Sequence, residues 1–480
     1  MKSLIHFGII ILISFQISGA QELISATYKG MQTKQQIATS FALPLIRNGA
    51  KYYHIKYTSK DARGNKDTLS GLMVVPDDLK FEYPRLVYQH GTSDCKQCVP
   101  SRYGVSGGEE GQLGLLFAGL GFVAILPDFV GMGDGRGFQT YVHAATIVSA
   151  TTDMLAASAS WLSQNQVFTN DQLFITGYSQ GGYASMALHK HMEESFGSSS
   201  VTAAAHLSGP YSLSGVMRDL ILSETEYLYP AYIPNTMLGF NEVYEIYNEL
   251  SEVFKPEYVA DIKKYYEGSI SLSSLNSKLI QLLKTNTGAS VGGRMLKDDL
   301  KSEIVSYIDH PINRILKEND LYNWAPKAPT RIFYCKADDQ VPFMNSVVAK
   351  DTMLAKGATN LVVTDVNSSA NHGGCVTPAL TQTLFFFLGL QKITSDVKDV
   401  KTESDVYIYP NPVGNMLTIE GLTENQTIMI FNIQGQVIQI KLSDHSGLYL
   451  MDVSELKSGI YFLLVRTQDD KLLTHRFIRN

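Results

Sequence analysis

Charge is scarce in this 480-residue chain, at 18% of residues, and neither sign dominates. Basic residues number 40 against 46 acidic ones, a formal charge of -6, so the excess of positive charge that nucleic-acid binding needs is missing. Cysteine is scarcer still: four are too few to scaffold a small fold, although they suffice for two local bridges. Long apolar runs are absent too. The run from Phe7 to Ile13 falls well short of the roughly 20 residues that span a bilayer, and no later stretch is long and apolar enough to span one. What the chain does have is 44% hydrophobic residues, enough for well-filled cores and against extensive disorder.

The first twenty residues combine Lys2, that short apolar run and the small-residue ending Ser18-Gly19-Ala20. This is the pattern of a secretory signal peptide over residues 1–20, cleaved after Ala20 to leave no stable transmembrane segment. The mature chain is then expected to fold in an oxidising compartment outside the cytoplasm.

From about residue 50 to 390, short apolar runs alternate with helix-like stretches. Candidate strands are YYHIKYT, LSGLMVVP, RLVYQHG, FVAILPD, QLFITGY, VTAAAHLSG, RIFYCKA and LVVTDV. The first two alternate like an antiparallel edge, whereas the later ones are solidly apolar, as in strands buried on both faces. The pattern predicts an α/β fold with a mostly parallel eight-stranded sheet and helices on both sides. Between about residues 213 and 328 the alternation stops and a helical, tyrosine-rich insertion is expected to form a cap. The expected organisation is a catalytic domain over 21–392, a charged linker over 393–404 and a small all-β sandwich over 405–480.

In ITGYSQGGYASMAL, Ser179 ends a strand and opens a helix. A sharp strand-to-helix turn leaves no room for β-carbons two residues either side of the serine, and Gly177 and Gly181 stand there. A serine hydroxyl needs a base to take its proton and an acid to orient that base. Asp338, four residues before Pro342 and preferred over Asp339, follows the seventh strand, and His372, in a glycine-flanked loop, follows the eighth. The order Ser, Asp, His, each after its own strand, is much harder to obtain by chance than the pentapeptide.

The oxyanion of acyl transfer would be met by the N–H groups of Gln180 and of Thr92, in the loop after the third strand, with His90 bracing that loop. Cys335 and Cys375 flank the acid and base and would be brought together by neighbouring strands. Cys95 and Cys98 form a C-x-x-C whose default reading is a local bridge, with a redox pair or half a metal site as rivals. The glycine-rich GMGDGRG lacks phosphate-loop spacing, so no nucleotide, other cofactor or metal is expected. Tyr227, Tyr229 and Tyr232 are candidates for lining an apolar acyl site, with cap core as the rival reading.

With YQHGT, LPDFVGMG and GYSQGGYAS in place, residues 50 to 392 resemble the α/β-hydrolase superfamily, most of all its secretory lipase and carboxylesterase branch. The resemblance implies a Ser-His-Asp triad of Ser179, His372 and Asp338 and a helical cap over an acyl pocket. Its substrate would be a small-molecule or lipid ester. A prolyl oligopeptidase-like peptidase is the nearest alternative, though that type generally carries a large propeller before the hydrolase. A catalytically inactive surface binding protein is the alternative from another class.

Tyr409-Pro410-Asn411-Pro412, Gly435, Ser458-Gly459-Ile460-Tyr461 and a basic end at Arg476 and Arg479 resemble the C-terminal sorting domain of type IX secretion substrates. That resemblance implies export through the periplasm to the cell surface or beyond, with the secretion machinery as partner and no role for nucleic acid.

Overall fold

The computed structural model describes residues 22–105, 107–395, 406–433, 436–444, 446–467 and 472–480. The expected signal peptide, most of the expected linker and Gly435 lie outside the described residues.

A ten-stranded mixed sheet forms the first layer, with strands β1 (Leu23–Gln32), β2 (Ala50–Lys60), β3 (Lys66–Pro76), β4 (Phe81–Gln89) and β5 (Val123–Pro127). It continues through β6 (Thr169–Tyr178), β7 (Ala203–Leu207), β8 (Thr330–Tyr334), β9 (Leu361–Asp365) and the short β10 (Thr394–Ser395). The order is β1-β2-β3-β5-β4-β6-β7-β8-β9, antiparallel as far as β5 and parallel beyond it. The sequence predicts eight of these ten strands. β1 is an edge strand with no fully buried residue, and β10 pairs only through Thr394 and Ser395, so neither carries the apolar run that marks a strand.

Strands β5 and β7 are buried at every residue, as a sheet covered on both faces requires. The covers are α1 (Lys34–Ser40), α2 (Gln112–Gly119), α3 (Ala144–Gln164), α4 (Gln180–Phe196), the cap described next, α11 (Met344–Ala355) and α12 (His372–Leu388). The insertion after β7 is helical, as expected, with α5 (Arg218–Leu222), α6 (Tyr232–Tyr244), α7 (Pro256–Tyr266), α8 (Leu272–Thr287), α9 (Asp298–Ser306) and α10 (Pro311–Glu318). Proline at the first positions of α7 and α10 and the Ser271 cap of α8 set where these helices begin. The cap has its own core, including Phe254, Tyr258, Leu275 and Leu279.

α3 starts at a histidine. The His143 Nδ1 lies 2.9 Å from the Thr146 hydroxyl and accepts the Thr146 N–H, while Nε2 lies 3.1 Å from the Tyr244 hydroxyl of the cap. Burial pushes its pKa down to about 4, whereas an imidazole in an unfolded chain titrates near 6.5. Between those values the unfolded chain binds a proton that the folded chain refuses, so stability is present above about pH 6.5 and lost as pH falls towards 4. The expected loss from this group is about 3 kcal/mol. Urea unfolding of wild type and His143→Gln across that range checks it: the variant should show a shallower decline, and equal slopes would contradict the assignment. His206 is wholly buried, lying 2.7 Å from the Ser185 hydroxyl and 3.2 Å from His189 Nδ1, a satisfied core histidine.

The C-terminal module is a sandwich of β11 (Tyr407–Tyr409), β12 (Met416–Leu422), β13 (Thr427–Asn432), β14 (Val437–Leu442), β15 (Gly447–Asp452), β16 (Gly459–Arg466) and β17 (Leu472–Arg479). A three-stranded sheet, β11-β12-β15, faces a four-stranded one, β14-β13-β16-β17, all antiparallel.

Candidate active site

The parallel strands end level. Gln89 pairs with Gly177, Gly177 with His206, Leu207 with Phe333 and Tyr334 with Asp365. The loops after β4, β6, β8 and β9 therefore emerge along one edge, carrying Thr92, Ser179, Asp338 and His372 respectively.

Ser179 sits between β6 and α4 at φ 60° and ψ -121°. Non-glycine residues rarely adopt this region, and holding one there costs on the order of 1–3 kcal/mol. The surroundings enforce it: a β-carbon on Gly177 would come within 2.4 Å of the Gly181 carbonyl oxygen, and one on Gly181 within 2.0 Å of the Gln89 carbonyl oxygen. The Ser179 N–H donates to the Leu207 carbonyl at 2.9 Å. Its side chain is left at the start of α4, where unpaired N–H groups and the helix dipole favour negative charge.

Asp338 and His372 meet. The His372 Nδ1 lies 2.7 Å from Asp338 Oδ2, and both side chains are almost fully buried. The other carboxylate oxygen of Asp338 accepts the N–H groups of Gln340 at 3.0 Å and Val341 at 2.8 Å, which fixes the plane of the group. Asp339 has a separate task, accepting the His372 N–H at 3.1 Å. On its other side, the His372 carbonyl accepts the Tyr178 hydroxyl at 2.6 Å, and the Tyr178 ring lies 5.0 Å from the imidazole. Burial raises the Tyr178 pKa, so this hydroxyl stays a donor. Sequence reasoning places His372 in a loop; it is the first residue of α12, because Asn371 caps the helix by accepting the Gly374 N–H at 2.9 Å.

Cys335 and Cys375 are bridged, closing a 40-residue separation around Asp338 and His372. In the chain-entropy account such a bridge contributes about 4 kcal/mol. Cys95 and Cys98 are also bridged, across a sequence separation of 3.

In the β4 loop the Gly91 N–H is taken by Glu110, at 3.0 Å and 3.2 Å to its two carboxylate oxygens. Among the described residues the N–H groups of Thr92 and Gln180 carry no hydrogen bond. His90 braces the loop, with Nδ1 2.7 Å from the Gly91 carbonyl, Nε2 3.2 Å from the Asp128 carbonyl and its ring stacked on Phe129. The Thr92 hydroxyl lies 2.9 Å from that of Tyr141, whose pKa burial pushes up to about 12.

Ser179 and Gln180 open onto an apolar cavity of about 50 Å³ whose walls include Tyr141, Leu213, Met217, Tyr227, Tyr232 and Val341. A second cavity of about 50 Å³ is lined by cap residues and shares Ile221, Ile233, Thr236 and Leu316 with the first. Tyr227 and Tyr232 thus line the cavity, while Tyr229 stacks on Tyr232 at 5.7 Å. Both lining hydroxyls donate to Gln340, Tyr227 to its carbonyl at 2.8 Å and Tyr232 to its side chain at 2.7 Å, tying the cap to the loop after β8. Sequence reasoning missed Glu110, Tyr178 and Gln340, which have no motif of their own and matter only through contacts made in the fold.

Comparison with known proteins now places the architecture. The secretion system C-terminal sorting domain model matches residues 407–480, and the prolyl oligopeptidase family model matches residues 114–208, from α2 to the end of β7. A Legionella pneumophila protein described as a hydrolase is similar in structure, at TM-score 0.70 and 20% identity, covering 79% of this chain and 100% of its own. The rice cell wall degrading esterase LipA from Xanthomonas oryzae gives 0.63 and 23%, covering 76% and 94%. Candida antarctica lipase A in its closed state gives 0.56 and 15%, covering 76% and 81%. No curated protein matches the chain in sequence. The first part of the chain has the α/β-hydrolase fold. Its C-terminal part is a type IX secretion sorting domain, which marks the protein for the cell surface or the extracellular space.

Proposed function

We propose that this is an exported serine hydrolase that cleaves carboxylic esters through an acyl-enzyme. His372 takes the proton of Ser179 as its oxygen attacks the ester carbonyl, Asp338 holds the imidazole in the tautomer that accepts that proton, and the alcohol leaves with it. Water then attacks the acyl-enzyme by the same route in reverse. Thr92 and Gln180 donate their N–H groups to the oxyanion in both steps, each donor contributing about 3 to 4 kcal/mol of barrier lowering.

One observation carries the reading. A strained serine opens onto an apolar cavity on the sheet edge where a buried carboxylate grips a histidine. The narrow double cavity suits an unbranched acyl chain better than a peptide, whose amide groups would need partners that its largely apolar walls do not offer. The prolyl oligopeptidase match is the observation favouring a peptidase, and it spans only the segment around Ser179.

A panel of p-nitrophenyl esters of graded chain length, set against chromogenic dipeptide amides, separates the two. Leu316→Trp fills the junction between the cavities. At about 0.8 kcal/mol per buried methylene, losing room for four costs about two hundredfold in kcat/KM on long esters. Acetate should change less than threefold on the same scale. Equal losses on short and long esters would place the acyl chain elsewhere, and preference for the amides would overturn the ester reading.

A further inference from the structure

The sorting domain is packed against the far end of the helix that begins with His372. The Phe385 ring of α12 stacks on Phe462 of β16, with centroids 4.7 Å apart and planes 6° from parallel, and meets Phe431 of β13 edge-on at 5.1 Å. Met429, Phe431, Phe462, Leu464 and Leu472 belong to one continuous core cluster with Phe385 and Leu388. Arg331 of β8 lies over the Phe386 ring at 4.3 Å beside this contact.

The strands explain why. Along β13 and β16, Ile428, Ile430, Leu463 and Val465 face the interior of the sandwich, while the alternate Met429, Phe431, Phe462 and Leu464 face α12. A sheet apolar on both faces must be covered on both. The three-stranded sheet supplies one cover and the catalytic part the other. A sorting tag that hung free on a tether would present polar residues at those outward positions.

We propose that the catalytic part holds its sorting domain as a non-covalent partner, so that cutting the chain between residues 396 and 405 leaves a two-fragment complex rather than a released tag. Release then needs a second event that separates Phe385 from Phe431 and Phe462. The proposal does not depend on which bond Ser179 attacks.

The test is a protease site inserted between residues 396 and 405 of the full chain, cut under native conditions and followed by size-exclusion chromatography with light scattering at micromolar concentration. The two fragments should co-elute at the mass of the uncut chain. In Phe385→Ser they should elute apart, with affinity at least a hundredfold weaker. If that variant does not fold, judged by circular dichroism before cutting, Phe462→Ala takes its place with the same expectation. Wild-type fragments that separate without denaturant would overturn the proposal, as would folded variants whose fragments stay together as tightly as wild type.

Discussion

Ser179→Ala is expected to reduce kcat on any accepted ester by about 10⁶-fold while leaving the fold and the thermal midpoint nearly unchanged. The substitution removes one oxygen and nothing that holds the turn. Gly177 and Gly181 still leave the room, the residue 179 N–H still reaches the Leu207 carbonyl, and alanine meets the same backbone strain as serine. Substrate binding in the apolar cavity should survive, so KM moves little. Residual activity near wild type would mean that the hydrolysis belongs to another group or to a contaminant.

The second large effect is Asp338→Asn, expected to lower kcat by about 10⁴-fold. The geometry gives the reason. One oxygen of residue 338 accepts two backbone N–H groups, from Gln340 and Val341. An asparagine must keep its oxygen there, which turns its NH₂ towards His372 Nδ1. The imidazole then accepts at Nδ1 and carries its proton on Nε2, the tautomer that is unable to take a proton from serine. Asp339→Asn is the control: the amide oxygen still accepts the His372 N–H, so less than a tenfold loss is expected on the scale of one neutral hydrogen bond. A reversal of these two results would exchange the roles of the neighbouring aspartates.

How far the sequence carries such an argument depends on how local the signal is. The parallel strands β4 to β9 are legible because most are short and solidly apolar, as in VAILP and AAAHL, while β2 and β3 show instead the alternation of antiparallel strands. The strands of the sandwich are legible because turn residues separate each apolar run from the next. β1 escapes because LISATYKGMQ carries no continuous apolar run like the LVV of β9, its apolar residues being interrupted by Ser25, Thr27, Lys29 and Gly30.

At the site, the glycines around Ser179 are readable because two of them answer a steric demand within five residues of chain. In the sequence, Asp338 is preferred over Asp339 by its distance from Pro342, and the contacts give each aspartate a different part of His372 to hold. The cap tyrosines are the opposite case. Which of Tyr227, Tyr229 and Tyr232 face the cavity depends on how the chain enters α6, and no spacing rule covers an irregular segment. Glu110 is one of two adjacent glutamates in a glycine-rich loop, and only the fold brings it to the Gly91 N–H.

The outward apolar face of the sorting domain was present in the sequence as continuous runs, IMIF and YFLLV. Read alone, such runs fit the interior of a small sandwich. Only the packing of Phe385 against them shows that the second face has a cover too.

The account rests on one activated oxygen, and a fluorophosphonate probe reads it directly. Incubated with the purified chain and followed by intact mass and peptide mapping, the probe should add one phosphonyl group per chain, on Ser179, and none in Ser179→Ala. A folded wild-type chain that stays unlabelled, or one labelled at another serine, would contradict the account.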